Sequence, residues 1–290
     1  MPSIRSMFAA AALLASAALP TRAAESYDNC VGFIDTLPAT IATQGVWCLR
    51  ADLGTSMTDG AAITINTNNV TIDCNHFKLG GLAAGAGTAA AGIHAINRLN
   101  TTVRNCSIRG FAYGVAFTGT AASGGHVIED NRFDGNTYTG IHVEGDGSVV
   151  RRNQVIDTGG ATAYLGTAYG LFTEYSVDVL DNTISGVLPS PNQSGDGSAV
   201  GIYANVNLNG SISGNRVRGL VRLGTSSAYG IYSQNSDRVS MDRNHVVGDA
   251  SSGSIGLRCS SASGNTRDNI ISGFATAIET CASSGNMIGP

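Results

Sequence analysis

The stretch TGIHVEGDGSVVRRNQVI, residues 139–156, decides the fold because it contains both halves of a signature that recurs along the chain. The first half is a glycine followed by an aliphatic residue, here Gly140-Ile141. The second half is an asparagine two residues before an aliphatic or aromatic residue, here Asn153-Gln154-Val155. Short apolar runs alternate with polar turn residues around both halves. This pattern indicates short strands and carries no helical period of 3.6 residues.

Both halves of the signature repeat over most of the chain, and the glycines are 21 to 31 residues apart. Because one such repeat cannot bury its apolar face alone, successive coils must stack, and the asparagines can then form a hydrogen-bonded ladder inside a turn. The first half occurs at Gly92-Ile93, Gly114-Val115, Gly140-Ile141, Gly170-Leu171, Gly201-Ile202, Gly230-Ile231, Gly256-Leu257 and, in degenerate form, Ala277-Ile278. The second half occurs at Asn75-His76-Phe77, Asn131-Arg132-Phe133, Asn153-Gln154-Val155, Asn182-Thr183-Ile184, Asn215-Arg216-Val217, Asn244-His245-Val246, Asn269-Ile270-Ile271 and Asn286-Met287-Ile288, with Cys106-Ser107-Ile108 in the one missing slot.

The stacked repeats predict an all-β protein, a single-stranded right-handed parallel β-helix (solenoid) of about nine coils and roughly 40 Å in length. With its Gly-Ile and Asn-x-Val pairs, the sequence resembles the pectin-lyase-like superfamily of parallel β-helix proteins. The segments 37–41, 45–49 and 63–79 look like the usual lead-in to the first coil of that superfamily. The resemblance covers nearly all of the chain after residue 23. It implies the fold, whereas one fold can host many functions.

The first 23 residues have the features of an export signal. Arg5 supplies a positive start, the apolar run 8–19 is too short to span a bilayer, and small residues precede the expected cleavage after Ala23. No second apolar run of membrane length follows, so we expect a secreted or periplasmic protein without membrane insertion. The expected divisions are a signal peptide at 1–23, an N-terminal cap and lead-in strand at 24–60, and the parallel β-helix domain at 61–290.

The charge of the chain is acidic. The whole sequence has 17 basic against 21 acidic residues, and loss of Arg5 and Arg22 with the signal leaves 15 against 21. An acidic surface argues against nucleic acid as a partner, because phosphate binding requires basic residues.

Six cysteines, all after residue 23, predict three disulfides, since an even count in an exported chain is typical of a disulfide framework. Buried free thiols are the alternative. No Cys-x-x-Cys or Cys-x-x-His spacing occurs, so a metal cluster is not expected. Stacking of adjacent coils predicts the pairs Cys74 with Cys106 and Cys259 with Cys281, and the shared position in the N-terminal cap predicts Cys30 with Cys48.

Alternation along a strand sends the second and fourth residues after each glycine outward. In the middle coils these positions carry imidazoles, carboxylates, phenols and amides, a set that solvent exposure alone does not require. The second-position column reads His94, Ala116, His142, Phe172, Tyr203, Tyr232, Arg258 and Glu279. The fourth-position column reads Ile96, Thr118, Glu144, Glu174, Asn205, Gln234, Ser260 and Cys281.

The longest insertions point to the same face. Each one leads into a Gly-aliphatic strand, so together they should rim one side of that face, where solenoids commonly bind ligands. We expect Tyr164, Tyr169 and Arg222 to reach into the resulting groove. Aromatic rings beside amides and carboxylates suit sugar rings, which have apolar faces and hydroxyl edges. The three insertions are Thr158 to Ala168, Val187 to Ala199 and Leu220 to Ala228.

These residues predict a polysaccharide-acting enzyme, with β-elimination on a uronic acid polymer slightly ahead of glycoside hydrolysis. For elimination, His142 and Tyr203 would share the base and acid roles. Asn205, Gln234 or a cation held by the two glutamates would neutralise the substrate carboxylate. For hydrolysis, the two glutamates would be the acid and the nucleophile or base, about 5 Å apart. The candidate catalytic residues are His142, Glu144, Glu174 and Tyr203, and the candidate substrate-binding residues are His94, Phe172, Asn205, Tyr232, Gln234 and Arg258.

The alternative is a non-catalytic surface or periplasmic module that binds a glycan or a partner, because solenoids also carry exposed polar ladders without chemistry. The Asn-Thr-Asp signature of polygalacturonases and the Asp-Pro-His-Glu signature of alginate epimerases are absent, so no residue role transfers from those families. No cofactor is certain. Calcium is considered only at Asp196, between two glycines, where a plain turn is the simpler interpretation.

Other charged residues are given structural interpretations. Acidic and basic residues alternate on successive coils just before the asparagines, and these should form salt-bridge ladders that set register. We take His76, His126 and His245 as incidental. The last coil has no polar cap, so weak self-association through it is expected. The ladder residues are Asp73, Arg104, Glu129 and Arg151, followed by Asp130, Arg152 and Asp181.

Overall fold

The computed structural model describes residues 27–120, 123–260 and 264–290. The predicted signal peptide, residues 1–23, lies outside these ranges. Strands assemble into three sheets that run along the rod, and each coil contributes one strand to each sheet in turn. All pairings between these strands are parallel. The predicted parallel β-helix of about nine coils is confirmed.

The three sheets are named A, B and C, and within each repeat the chain passes from sheet A to sheet C and then to sheet B. Sheet A comprises Gly32–Ile34, Gly45–Leu49, Val70–Asp73, Thr102–Arg104, Val127–Glu129, Ser148–Arg151, Val177–Leu180, Ser211–Ser213, Ser240–Asp242, Asn265–Arg267 and Ala282–Ser284. Sheet B comprises Ala39–Ile41, Ala61–Ile65, Ala91–Ile96, Tyr113–Thr118, Thr139–Glu144, Thr167–Glu174, Ser198–Asn205, Ala228–Gln234, Ser254–Cys259 and Thr276–Glu279. Sheet C comprises Leu53–Gly54, Lys78–Gly80, Ser107–Arg109, Arg132–Asp134, Gln154–Gly159, Thr183–Leu188, Arg216–Leu220, His245–Val247, Ile270–Ser272 and Met287–Ile288. A single turn of 3₁₀ helix, Leu82–Ala84, lies in the loop before the third strand of sheet B.

The interior of the rod is filled by the inward residues of all three sheets. On sheet B the first and third residues after each glycine are buried, as predicted, and they include Ile141 and Val143 in one coil and Leu171 and Thr173 in the next. Because side chains alternate along a strand, the residues between them, such as His142, face outward. The apolar stack therefore holds the coils together and leaves the second and fourth positions free to vary.

The recurrent glycines are explained by the close approach of successive coils. A Cβ atom on Gly140 would lie 2.7 Å from the carbonyl oxygen of Gly170, and one on Gly170 would lie 2.7 Å from that of Gly201. The same contact recurs at each glycine of the column. The degenerate Ala277 is tolerated because no further described coil stacks on it, whereas a Cβ on Gly256 would lie 2.6 Å from the oxygen of Ala277.

The predicted asparagine ladder lies in the turn between sheets A and C. Asn153 Nδ2 donates to Asn182 Oδ1 at 3.0 Å, and Asn182 Nδ2 donates to Asn215 Oδ1 at 3.0 Å. Each amide also donates to a backbone carbonyl, as Asn182 does to Val150. These buried amides satisfy one another and lock the turn into the same shape in successive coils. The ladder consists of Asn131, Asn153, Asn182, Asn215, Asn244, Asn269 and Asn286.

The assignment of Asn75 to this column is wrong. Strand pairing places Leu79, and not Phe77, opposite Ile108. Asn75 lies instead in a left-handed turn, with φ of 47°, and its side chain donates to the carbonyl of Leu49. The Asn-x-aromatic pattern occurs there by chance two residues before the true inward position, so spacing alone was misleading at the first coil.

Disulfides and ion pairs reinforce the stack. The structure contains the three predicted disulfides, Cys30–Cys48, Cys74–Cys106 and Cys259–Cys281. The predicted salt-bridge ladders are also present in the early coils, where Arg104 pairs with Asp73 at 2.7 Å and Arg151 with Glu129 at 2.6 Å. Arg152 pairs with both Glu129 and Asp130. No ion pair within the described residues includes Asp181.

The two ends of the rod differ. The lead-in strands between residues 32 and 54 already pair into all three sheets. In the last coil the side chains of Met287 and Ile288 are 66% and 61% exposed. Self-association through this coil stays a prediction. Over the described ranges no helix has the length and hydropathy of a membrane span.

Candidate functional site

The outer face of sheet B brings together the residues that the sequence singles out. Strand pairing sets His142 opposite Phe172, and Phe172 opposite Tyr203. The fourth positions align in the same way, with Glu144 opposite Glu174 and Glu174 opposite Asn205. The next coil adds Tyr232 and Gln234 to the two columns. All of these side chains are partly buried.

His142 and Glu144 form the first contact of the face. They are two residues apart on one strand, and His142 Nε2, which is buried, lies 3.0 Å from Glu144 Oε1. The other carboxylate oxygen accepts a hydrogen bond of 2.7 Å from the Gly119 amide. Burial alone would raise the pKa of Glu144, but the imidazole and this amide outweigh burial and lower it below the ordinary value. Glu144 is therefore ionised at neutral pH.

Glu174 is held by the coil that follows it. Asn205 Nδ2 donates to Glu174 Oε1 at 2.7 Å. The Asn205 oxygen in turn accepts a hydrogen bond of 3.2 Å from Asn235 Nδ2. Both ends of the Asn205 amide are thus used inside the protein, and its role is to orient Glu174.

Tyr203 lies next to these groups, one coil beyond Phe172. Its hydroxyl donates to Gln234 Oε1, which leaves the Gln234 amide nitrogen without a partner in the described residues. Burial raises the pKa of Tyr203 to about 12, and the nearby Tyr232 and Glu174 add to the effect. Tyr203 is therefore a neutral phenol at physiological pH and a hydrogen-bond donor.

A continuous band of aromatic rings, here called the aromatic stripe, runs along the face. Tyr138 and Tyr164 are stacked with centroids 4.5 Å apart, and Phe172 and Tyr203 are 4.9 Å apart. His142 extends the band, at 4.5 Å from Phe172. The stripe consists of Tyr113, Tyr138, Tyr164, Tyr169, Phe172, Tyr203, Tyr229 and Tyr232.

Sequence reasoning missed Tyr113, Tyr138 and Tyr229 as members of the stripe. Tyr113 and Tyr229 directly precede a glycine of the column, and they point outward together with the second and fourth positions. The strand pairing skips the glycine itself, so strict alternation restarts there. A tyrosine before the glycine, which Tyr169 also shows, was the available signal.

His94 and Arg258 lie towards the two ends of the second-position column and are less closely connected to the residues at its centre. His94 is separated from His142 by the small Ala116 in the intervening coil. Burial lowers the pKa of His94, and the proximity of His142 lowers it further. At the other end, Arg258 Nε pairs with Glu279 at 2.9 Å, and its guanidinium lies 4.9 Å from the Tyr232 ring centroid. Arg258 is thus engaged within the protein.

The insertions stack on one another along one edge of sheet B, as predicted. Gly166 donates to Ser190, and a small antiparallel bridge joins Gly197 to Leu223. Tyr164 and Tyr169 reach the face, but the expectation for Arg222 is wrong. Its guanidinium turns back into its own loop, where it donates to the carbonyl oxygens of Gly224 and Ser226.

The metal question concerns Asp196 above all. Its carboxylate accepts from the amide and hydroxyl of Thr225, and so joins two of the insertions. These bonds also lower the pKa of Asp196, chiefly through the Thr225 amide. Across residues 27–290, the two gaps apart, no three His, Cys, Asp or Glu residues are grouped as metal ligands would be. A calcium role stays a prediction.

The sheet B face is a shallow, open surface. Two grooves of the described structure lie elsewhere: one lies at the turn between sheets A and C, next to His76 and Arg152, and another lies on sheet C. We assign the candidate site to sheet B nevertheless, because the paired carboxylates, the phenol and the aromatic stripe converge there. An extended ligand needs a long face more than a closed cavity.

The three stacked parallel sheets define the class: the chain is a right-handed parallel β-helix protein. Residues 50–184 match the family model described as the right-handed β-helix region. The predicted resemblance is thereby confirmed for the fold. A search of curated proteins finds no sequence match.

Solved structures with the same fold include proteins of several kinds. The Dettilon tailspike protein has a TM-score of 0.51 and 14% identity, over 89% of this chain and 60% of that one. An alginate lyase from Paenibacillus sp. strain FPU-7 has a TM-score of 0.42 and 12% identity, over 84% and 99% of the two chains. The A-module of an Azotobacter vinelandii mannuronan C-5 epimerase has a TM-score of 0.33 and 12% identity, over 90% and 88%. The chain spans 60% of the tailspike's length, and the likeness shows the fold alone.

Proposed function

We propose that the chain is a secreted carbohydrate-active enzyme that cleaves an extracellular polysaccharide on the outer face of sheet B. The aromatic stripe beside two cross-strand carboxylates is the observation that carries this proposal. Ring faces bind the apolar faces of sugars, while carboxylates and amides bind their hydroxyl groups. Successive coils are about 4.8 Å apart, so the stripe offers a series of positions to an extended chain.

The contacts of the face favour hydrolysis over elimination. Neutralising a uronate carboxylate requires free donors or cations. Asn205 already donates to Glu174 and Arg258 is paired with Glu279, so of the residues expected for this role only the neutral Gln234 amide keeps an unused nitrogen. The nearest acid and base for elimination, Tyr203 and His142, are separated by Phe172. The preference for elimination that the sequence suggests is therefore reversed in this proposal.

In the proposed hydrolysis, Glu144 is the nucleophile or base and Glu174 is the proton donor. The lowered pKa of Glu144 keeps it ionised, as either role requires. Glu174 is its direct cross-strand neighbour, so the two strands are about 4.8 Å apart and the side chains can reach the carboxylate spacing of about 5 Å typical of retaining glycosidases. Glu174 protonates the oxygen of the leaving sugar as Glu144 attacks the anomeric carbon, and Glu174 then takes a proton from the water that displaces Glu144 and completes hydrolysis. If Glu144 acts as the base, it takes a proton from the water that attacks the anomeric carbon directly. His142 and Asn205 hold the two carboxylates in position.

Secretion is part of the proposal and rests on the three disulfides, which persist in oxidising compartments and are rare in the cytosol. Expression with residues 1–23 intact in a Gram-negative host tests it. We expect the chain in the periplasm or medium, with a new N-terminus at Ala24. An uncleaved cytoplasmic chain would contradict this part of the proposal.

The test of the activity is a panel of neutral and uronic-acid polysaccharides, scored both for new reducing ends and for unsaturated ends. We expect reducing ends without unsaturated ends on a neutral glycan. Unsaturated ends would replace hydrolysis by elimination. Binding to a glycan in the absence of any product from the whole panel would overturn catalysis and leave the non-catalytic binding module.

A further inference from the structure

The outer face of sheet C carries a second, chemically opposite set of side chains. The residue between the asparagine and the aliphatic residue of each signature points outward there, which gives Thr183, Arg216 and His245 in successive coils. Two residues further along the same strand, Arg218 also points outward, since Val217 between them is buried. Arg216 and Arg218 are therefore on one side of one strand, roughly 7 Å apart.

These two arginines differ from most arginines of the described structure, which are ion-paired. Eight other arginines form ion pairs with aspartate or glutamate. Within the described ranges, the guanidinium groups of Arg216 and Arg218 have neither an ion-pair nor a hydrogen-bond partner, although the chain as a whole is acidic. Unpaired guanidinium groups on an acidic protein leave their donors free for an anion.

The arginines line a groove instead of standing on a flat surface. The groove has a volume of about 230 Å³ and contains no carboxylate among its lining residues. The lining residues are Thr183, Arg216, Val217, Arg218, His245 and Val247.

We propose that this groove, with Arg216, Arg218 and His245, is a binding site for a tetrahedral oxyanion, namely a sulfate or phosphate group. Guanidinium groups present planar pairs of N–H donors that match the oxygens of such a group. His245 is the cross-strand neighbour of Arg216, about 4.8 Å away, so its imidazole can add a third donor. Oxyanion binding in the groove also neutralises two like charges placed side by side.

The site lies on a different sheet from the candidate catalytic face and does not rest on its chemistry. The inward side chains of sheets B and C pack in the common core, but the outward side chains of sheet C point away from the outer face of sheet B. Failure of the proposed hydrolysis would leave this site untouched, and the reverse also holds.

Titration calorimetry of the full chain at low ionic strength tests the proposal, with sodium sulfate and sodium phosphate as probes and sodium chloride as the reference salt. A second arm compares dextran sulfate with unsulfated dextran, which separates a sulfate ester on a glycan from a free ion. The variant is Arg216→Gln with Arg218→Gln. The matched control is the double variant Arg243→Gln with Arg267→Gln. It removes the same amount of positive charge at two exposed arginines associated with sheet A.

We expect saturable sulfate or phosphate binding that the sheet C double variant weakens at least tenfold and the control weakens less than twofold. Circular dichroism should show both variants folded, since all four arginines are exposed. Equal losses in the two variants would mean general charge attraction and overturn the site. So would the absence of saturation by either ion in the unmodified chain.

Discussion

The outer faces of sheets B and C are built on the same coils and yet differ in nearly every property. The face of sheet B is aromatic, with Glu144 and Glu174 at its centre, and long insertions rim it. The face of sheet C is basic, with Arg216 and Arg218 in a short groove, and it follows the tight asparagine turn. Because the stack constrains only the inward residues, each outward face is free to acquire its own chemistry.

The difference between the connections has a physical reason. The turn from sheet A to sheet C is held by buried amides that bond from coil to coil, so an inserted residue would break the ladder. Among the described residues, the connection into sheet B has no such coil-to-coil ladder, and it lengthens at low entropic cost. The face that can gain loops is thus the face that can gain an elaborate binding surface.

The largest expected effect is a loss of activity from a substitution on sheet B that a matching substitution on sheet C does not cause. Glu144→Gln should lower kcat/KM on the cleaved glycan by about 10³-fold, because it removes the proposed nucleophile or base. Glycan binding should persist, since the side-chain volume is unchanged. Asp134→Asn, which neutralises a carboxylate on sheet C, is the matched control and should change kcat/KM less than twofold. Equal losses would remove the assignment of catalysis to sheet B.

The next largest effect is a loss of folding stability at acid pH that His126 causes. It must be measured before any loss of function at acid pH is assigned to either face. His126 is fully buried, with its Nε2 3.0 Å from Ser123 Oγ. Burial lowers its pKa from 6.5 to about 4. Between those values the unfolded chain binds a proton that the folded chain does not, so stability is complete above pH 6.5 and falls with decreasing pH.

At pH 5 this loss should reach about 2 kcal/mol relative to pH 7, as measured by urea unfolding. In His126→Gln, which has no imidazole at this position, the unfolding free energy should depend less on pH by about that amount. His76→Gln, at a more exposed position, is the control and should leave the pH dependence unchanged. A His126→Gln profile parallel to the unmodified one would mean that His126 binds protons equally in the folded and unfolded chain, and would overturn this prediction.

A smaller effect tests the aromatic stripe as a sugar-binding surface. Phe172 contacts both His142 and Tyr203, at 4.5 and 4.9 Å between centroids. Phe172→Ala should weaken glycan binding about three- to tenfold, the amount expected for one aromatic contact. Ile156→Ala on the outer side of sheet C offers a comparable truncation, and we expect less than a twofold change in affinity from it. Reversal of the two results would place the glycan on the other face.

The smallest effect is a salt dependence. Raising sodium chloride from low to high concentration should weaken sulfate binding on sheet C severalfold, because screening acts on exposed charges. Binding of a neutral glycan to sheet B should change less than twofold over the same range. Competition between the two ligands, measured by calorimetry, would show that both use one face and would merge the two sites.

The sequence predicts the fold and the sheet B columns for one reason, namely that stacking converts a repeat into vertical neighbours. Glu144 and Glu174 are thirty residues apart, and their pairing follows from the Gly-aliphatic spacing alone. The disulfides follow in the same way. Inward positions are equally predictable, because only apolar or small residues fit between coils.

The remainder of the site depends on features that cannot be found by listing the outward positions after each glycine. The tyrosines before the glycines face outward because the strand is interrupted at the glycine. Arg222 turns away because its own loop offers it carbonyl oxygens. The basic face of sheet C is formed by the middle residue of the Asn-x-Val pairs, as at Arg216 and His245. The asparagines of these pairs predict the turn, but they do not predict the chemistry of the strand that follows.

The alanine at 277 has a consequence for engineering. Each glycine of its column leaves room for the backbone of the coil that follows, so a coil can be added only after a coil that has this glycine. A designer who grafts an extra repeat beyond Ile288 must first convert Ala277 to glycine, or the new coil will be held away from the old one. Residue 277 thus marks, by one methyl group, the layer of the solenoid on which no further described coil is stacked.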